Sequence, residues 1–148
     1  MAVPVRFENA PAQPLAVVKR RAKQSELSRV VPEACGAAWK LSTEANLQSR
    51  GRMVALYLDC EMNLEIGLEV AAPFEPFGEL HPSQTPAGPV ATATHIGPYH
   101  LMGEAHRSIT DAVKAQGRTL AGPSWEIYGH PTPDPAQTRV DIYYLLKE

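Results

Sequence analysis

The 148 residues are 44% apolar and 20% charged, with a formal net charge of -2, a balance that excludes a fibrous repeat or a disordered chain. A chain of this length buries roughly two thirds of its extended surface around one principal core. No stretch reaches the eighteen or so apolar residues of a membrane helix, and MAVPVRFENAP has no basic region leading into an apolar one, so a cytoplasmic protein without membrane association is expected.

In chain order, VPVRFE offers a strand in which Val3, Val5 and Phe7 alternate, and LAVVKRRAK offers a second. The cluster Lys19, Arg20, Arg21 and Lys23 reads as the solvated end of that strand, because no nucleic-acid-binding module accompanies it. Pro32 suits a first helical turn, where its missing N–H is harmless. Ala34, Ala38, Leu41 and Ala45 then share a face beside Trp39, which predicts a helix from Pro32 to Leu47 ended by SRGR. Two strands follow, RGRMVALY and LEIGLEV, joined by the polar turn DCEMN. Residues 72–87, rich in proline and glycine, read as a surface linker.

The remainder repeats this order. PVATATHIGPY predicts a strand, and Leu101, Ala105, Ile109 and Val113 recur every four residues in a helix stopped by Gly117. AGPSWEIY and RVDIYYLL predict two further strands across GHPTPDPAQ. Residues 50–57 align with 121–128, setting Gly51 over Gly122, Ala55 over Glu126 and Tyr57 over Tyr128. The expected fold is one α+β domain of residues 1–148, with duplicated strand-helix-strand-strand halves at about 1–71 and 88–148. Their sheet should be largely antiparallel, with two principal helices covering it.

Strand alternation puts Glu126 and Tyr128 on one face of their strand and Trp125 and Ile127 on the other. A carboxylate there is either an ordinary solvated acid or a buried anion that needs a tyrosine donor or a ligand cation. In the second case, an aromatic lining around one acid suits a flat or hydrophobic organic cation. The register against the last strand, which decides whether Asp141, Tyr143 and Leu145 or Val140, Ile142 and Tyr144 share the face of Glu126, is left open.

Other chemistries are weaker. His95, His100 and Glu104 are the best metal candidates, but exposed helix-start residues and a partly buried His95 explain them. His106 is poorly phased with Glu104. Without GxGxxG or a phosphate-binding GxxxxGKS/T stretch, no nucleotide cofactor is expected. Ser108 and Ser124 lack a nucleophile elbow. Cys35 sits in an alanine-rich helix as a small buried thiol, and the pair Cys35 and Cys60 reads as reduced.

HIGPYHLMGEAHRSITDAVKAQG, AGPSWEIYGHPTPDP and TRVDIYYLLK, preceded by VRFENAPAQPLAVVKR, occur in an order that resembles the GyrI-like family of small-molecule-binding domains. These domains also serve as effector-binding domains of multidrug-responsive transcription regulators. The resemblance implies a cavity near the junction of the halves and matches Glu126 to a glutamate that meets cationic or lipophilic compounds. Tyr128 matches as well, and Tyr57, Tyr143 and Trp39 are candidate aromatic walls. With all 148 residues taken up by the ligand domain, the resemblance implies a free-standing binder of hydrophobic or cationic organic molecules that sequesters toxic compounds. Direct nucleic-acid contact is not expected, and a protein partner or homodimer stays open. An alternative is a hydrolase of reactive cyclopropane-containing natural products, with Glu126 positioning or activating water and Tyr128 or Tyr143 donating a proton. A third reading is a ligand-responsive protein-interaction adaptor.

Overall fold

A computed structural model describes residues 3–47, 51–59, 61–129 and 133–148. Its elements in order are β1 (Arg6–Ala10), β2 (Pro14–Arg21), α1 (Leu27–Glu44), β3 (Met53–Tyr57), β4 (Asn63–Glu69), β5 (His81–Gln84), β6 (Gly88–Ile96), α2 (Gly103–Ala115), β7 (Leu120–Tyr128) and β8 (Arg139–Leu146). The strands form one sheet in the order β1-β6-β8-β7-β3-β4-β2-β5, and every pairing is antiparallel. The fold is α+β, as the periodicities indicate. Cys60 and residues 130–132, in the two connections between paired strands, lie outside the described residues. No helix among the described residues is long and apolar enough to cross a membrane.

The strand order is a palindrome of the duplicated parts: β2, β4 and β3 of one half mirror β6, β8 and β7 of the other. Two features depart from the sequence reading. The strand near the N-terminus occupies residues 6–10, not 3–8, and pairs with β6 of the second half. The expected linker 72–87 contributes β5, which pairs with β2 of the first half. β1 and β5 each precede the first strand of a repeat by three residues and stand at the two mirrored edges of the sheet.

Two short connections dictate the shape of the sheet. β1 and β2 stand six places apart in the strand order, about 29 Å if the sheet were flat, yet only residues 11–13 join them. Four Cα–Cα steps reach about 15 Å at most. Residues 85–87 make the same demand of β5 and β6. The sheet must therefore roll until its edges approach. Its inner face forms one cluster in which Leu15 and Val17 of β2 meet Val90 of β6, together with Val54, Leu56, Trp125 and Ile127.

Both helices lie outside the roll. Val30, Ala34 and Ala38 of α1 cover Ala16, Val18, Leu64, Ile66 and Leu68, whereas Ala105, Ile109 and Val113 of α2 cover Ala91, Ala93, Val140 and Ile142. The start of α1 corrects the sequence reading. The Glu26 carboxylate accepts the Lys23 backbone N–H at 2.8 Å and supports a 3-10 turn over Gln24–Glu26 that feeds a helix from Leu27. Pro32 consequently sits in the second turn, where it forfeits the hydrogen bond to the Ser28 carbonyl. At the other end Asn46 turns left-handed at φ 58°. Its N–H meets the Thr43 carbonyl and that of Leu47 the Ser42 carbonyl, a Schellman closure five residues before Gly51. Gly117, at φ 67°, ends α2 as anticipated.

Candidate functional site

Helix placement creates the site. α2 rides on β6 and β8, and α1 on β4 and β2 with its margin reaching β3. Four strand spacings separate the two helix positions, about 19 Å along the sheet, and a helix with its side chains fills about 10 Å of that. A trench is left over the central pair β7 and β3. Its floor consists of the outward residues of that pair, in register as Met53 with Tyr128, Ala55 with Glu126 and Tyr57 with Ser124. The aligned positions Ala55 and Glu126 are therefore direct cross-strand neighbours, and the pseudo-two-fold relating the halves passes between them. Tyr57 and Tyr128, also aligned in sequence, flank this axis from opposite sides.

Both tyrosines turn to the single carboxylate. The Tyr57 hydroxyl donates to Glu126 Oε1 at 3.1 Å and the Tyr128 hydroxyl to the same oxygen at 2.7 Å. On Oε2, His106 Nε2–H donates from α2 at 2.7 Å. His106 Nδ1 lies 2.7 Å from the Tyr144 hydroxyl. A neutral imidazole accepts there from Tyr144, and an imidazolium donates to it. The result is a chain from Tyr144 through His106 to Glu126, with two tyrosines on the far oxygen.

Glu126 is 4% exposed. Burial pushes its carboxyl upward, but the hydrogen bond and charge of His106, then Tyr128 and Tyr57, outweigh it and hold the group below its ordinary value. Three bonds to a charged acceptor, each worth about 1.5–3 kcal/mol, are of the size needed to offset a desolvation penalty of several kcal/mol per ion. Glu126 is an ionised acid in a ring-lined enclosure. Burial, reinforced by the negative charge of Glu126, pushes Tyr57, Tyr128 and Tyr144 above the usual phenol range, so all three remain neutral donors.

One end of the trench is aromatic. Tyr99, in the turn before α2, meets Tyr128 edge-on at 5.9 Å between centroids. Cys35 of α1 lies near Tyr128, and burial pushes its thiol up to about 11, which makes it an inert thiol. Trp39 stands one helical turn beyond Cys35 and is 44% exposed, so it is not a core residue. Tyr57, Tyr128 and His106 cover Glu126 with their rings. Open concavities lie elsewhere, one of about 400 Å³ at Arg21, Lys23, Glu26 and Met62 and one of about 300 Å³ at Phe7, Asn9, Pro89 and Arg118.

Of the residues singled out in the sequence, Glu126, Tyr128 and Tyr57 come together. Tyr143 does not. It pairs with Trp125, not with Glu126, and stacks on that indole inside the roll at 5.3 Å and 9°. The undetermined register separated the two: Ile142 faces Glu126, so Tyr144 and not Tyr143 points toward the trench. His106 is out of phase with Glu104, so the metal-ligand pattern of the sequence does not reveal it. Against the apolar face it stands four residues after Met102 and three before Ile109, the flank of α2 that overlooks the trench. His95 Nε2 lies 2.9 Å from the Pro98 carbonyl oxygen, and His100 is exposed. Among the described residues no three His, Cys, Asp or Glu side chains are grouped to hold a metal ion.

Comparisons with solved structures agree with this architecture. The EcmrR C-terminal domain superposes with a TM-score of 0.80 at 17% identity, over 100% of this chain and 99% of that one. The chain spans 59% of the EcmrR chain in an EcmrR–DNA complex. SAV2435 bound to tetraphenylphosphonium matches with a TM-score of 0.67 at 10% identity, over 97% of this chain and 94% of that one. A hydrolase from Listeria innocua matches with a TM-score of 0.64 at 9% identity, over 99% and 93% of the respective chains. No curated protein sequence matches. At these identities the likeness concerns the fold, and membership follows from the sequence itself: over residues 4–147 the chain belongs to the GyrI-like small-molecule-binding domain family.

Proposed function

We propose that the trench receives a hydrophobic organic cation, with Glu126 as its counter-charge and Tyr57, Tyr128, Tyr99 and Trp39 as its aromatic contacts. The observation that carries this reading is an ionised carboxylate, 4% exposed and enclosed by rings. Charge attraction and cation–π contact both strengthen in such surroundings. The rings that cover Glu126 must part to admit a guest, and the exposed Trp39 and Tyr99 give them apolar surface to rest on. The complex of SAV2435 with tetraphenylphosphonium supplies the probe.

The same carboxylate argues against general-base chemistry. A base effective near neutral pH needs a raised pKa, and that of Glu126 is lowered. Binding is therefore favoured over hydrolysis, and sequestration of the guest is the role that follows.

Calorimetric titration tests the reading. Glu126→Gln should weaken tetraphenylphosphonium about 10–100-fold, the size of a partly desolvated charge pair, and change triphenylphosphine oxide, an uncharged aryl probe, less than about threefold. Tyr143→Phe, on the far side of the sheet, should leave both unchanged. Equal losses for the two probes on Glu126→Gln would defeat recognition by charge, and conversion of a reactive electrophile by the wild-type protein alone would restore the hydrolase.

A further inference from the structure

The floor of the trench already contains a group able to carry positive charge. Each tyrosine hydroxyl bonded to Glu126 is neutral, whereas His106 is bonded to Oε2 at 2.7 Å and is the partner that can be charged near neutral pH. Its side chain is 28% exposed against 5% for Glu126, so the imidazole bridges the buried acid and the solvent. We propose that His106 is a specificity-determining residue, an internal cation that holds Glu126 and that a cationic guest must replace, so that cation binding expels a proton. The inference rests on the binding reading above and adds what the guest competes with.

The argument is one of charge count. Glu126 provides one negative charge in the enclosure. Protonated His106 neutralises it. A cationic guest beside the same carboxylate would leave a second positive charge facing it at short range in a medium where such repulsion is strong. The guest therefore selects the neutral imidazole, whether the ring stays or swings toward solvent. An uncharged guest imposes no such choice. Affinity for cations should rise with pH through the histidine range, and affinity for uncharged molecules should not.

The surrounding groups do not blur this dependence. Tyr57 from β3, Tyr128 from β7 and Tyr144 from β8 are all held above the phenol range, and the Cys35 thiol of α1 is held up at about 11. Glu126 is held below the ordinary carboxylate value and stays ionised throughout. On α2 itself Glu104 and Arg107 project outward. Tyr99 and His100 in the preceding turn are exposed, and His95 of β6 is bonded to the Pro98 carbonyl.

Titration with tetraphenylphosphonium at pH 5.5, 6.5 and 7.5, in two buffers of different ionisation enthalpy, tests the exchange. Wild-type affinity should fall at least about threefold from pH 7.5 to 5.5, and by no more than about tenfold per pH unit, the limit for one competing proton. The two buffers should report release of up to about one proton per guest. His106→Gln, which keeps a neutral donor near Oε2, should bind with little pH dependence and without buffer-dependent heat, and triphenylphosphine oxide should be pH-independent with the wild type. Wild-type affinity constant within about twofold across these pH values, or an undiminished slope in His106→Gln, overturns the exchange while leaving the binding site intact. Absence of binding to both proteins at every pH overturns the site and the exchange together. Should His106→Gln fail to fold, the buffer-dependent heat of the wild type decides alone.

Discussion

Removing the Tyr128 hydroxyl isolates one of the interactions that keep Glu126 ionised. Tyr128→Phe preserves the ring and its edge contact with Tyr99, and deletes a 2.7 Å bond to Oε1 that the 3.1 Å bond from Tyr57 replaces only in part. A hydrogen bond to a charged acceptor contributes about 1.5–3 kcal/mol. With a urea dependence of about 1.5 kcal/mol per molar, the midpoint should move down by roughly 1–2 M. The same substitution in a Glu126→Gln background meets a neutral acceptor and should cost about 1 kcal/mol less, a coupling that a double-mutant cycle resolves. Urea unfolding at pH 7, followed by tryptophan fluorescence and circular dichroism, measures all four proteins. Equal costs in the two backgrounds would show that the hydroxyl does not stabilise a charge, and the electrostatic account of the trench would fail with it.

The acid limb of stability should report Glu126 directly. Its folded-state value lies below the ordinary 4.5, so its contribution is fully present above about pH 4.5 and is lost as the pH falls through the folded value. The advantage of wild type over Glu126→Gln in urea unfolding should narrow between pH 6 and pH 3, and a gap that widened on acidification would contradict the assignment. The close contact between β4 and β2 has its own test. A Cβ on Gly67 would lie 1.8 Å from the Ala16 carbonyl oxygen and 2.8 Å from Val17 Cα, both backbone atoms of β2. Gly67→Ala should therefore cost more than about 3 kcal/mol, whereas an unchanged urea midpoint would mean that the strands are not pressed together there.

How far the sequence discloses this site depends on which forces are local. Alternation along SWEIY separates Glu126 and Tyr128 from Trp125 and Ile127 because strand pleating acts within one segment, and four-residue spacing exposes α2 for the same reason. Pro32 misdirects the start of α1, since a Glu26 side chain reaching back to Lys23 competes with proline's preference for the first turn. Tyr143 and Tyr144 exchange roles because register between strands is decided by pairing across the sheet. His106 escapes notice because its partner lies on another element, and β5 because HPSQ has no alternation and acquires strand form from the edge of β2.

Placing Ala55 directly across from Glu126 has a consequence for how a duplicated domain acquires chemistry. Any residue on a symmetry axis meets its own copy. In an assembly of two identical halves this position would carry either no carboxylate or two, with Cβ atoms about 5 Å apart, and two acids that close cannot both ionise without a large penalty. Covalent fusion lifts the restriction: one copy keeps a methyl group, whose smallness leaves room, and the other keeps a lone anion that both inherited phenols can serve.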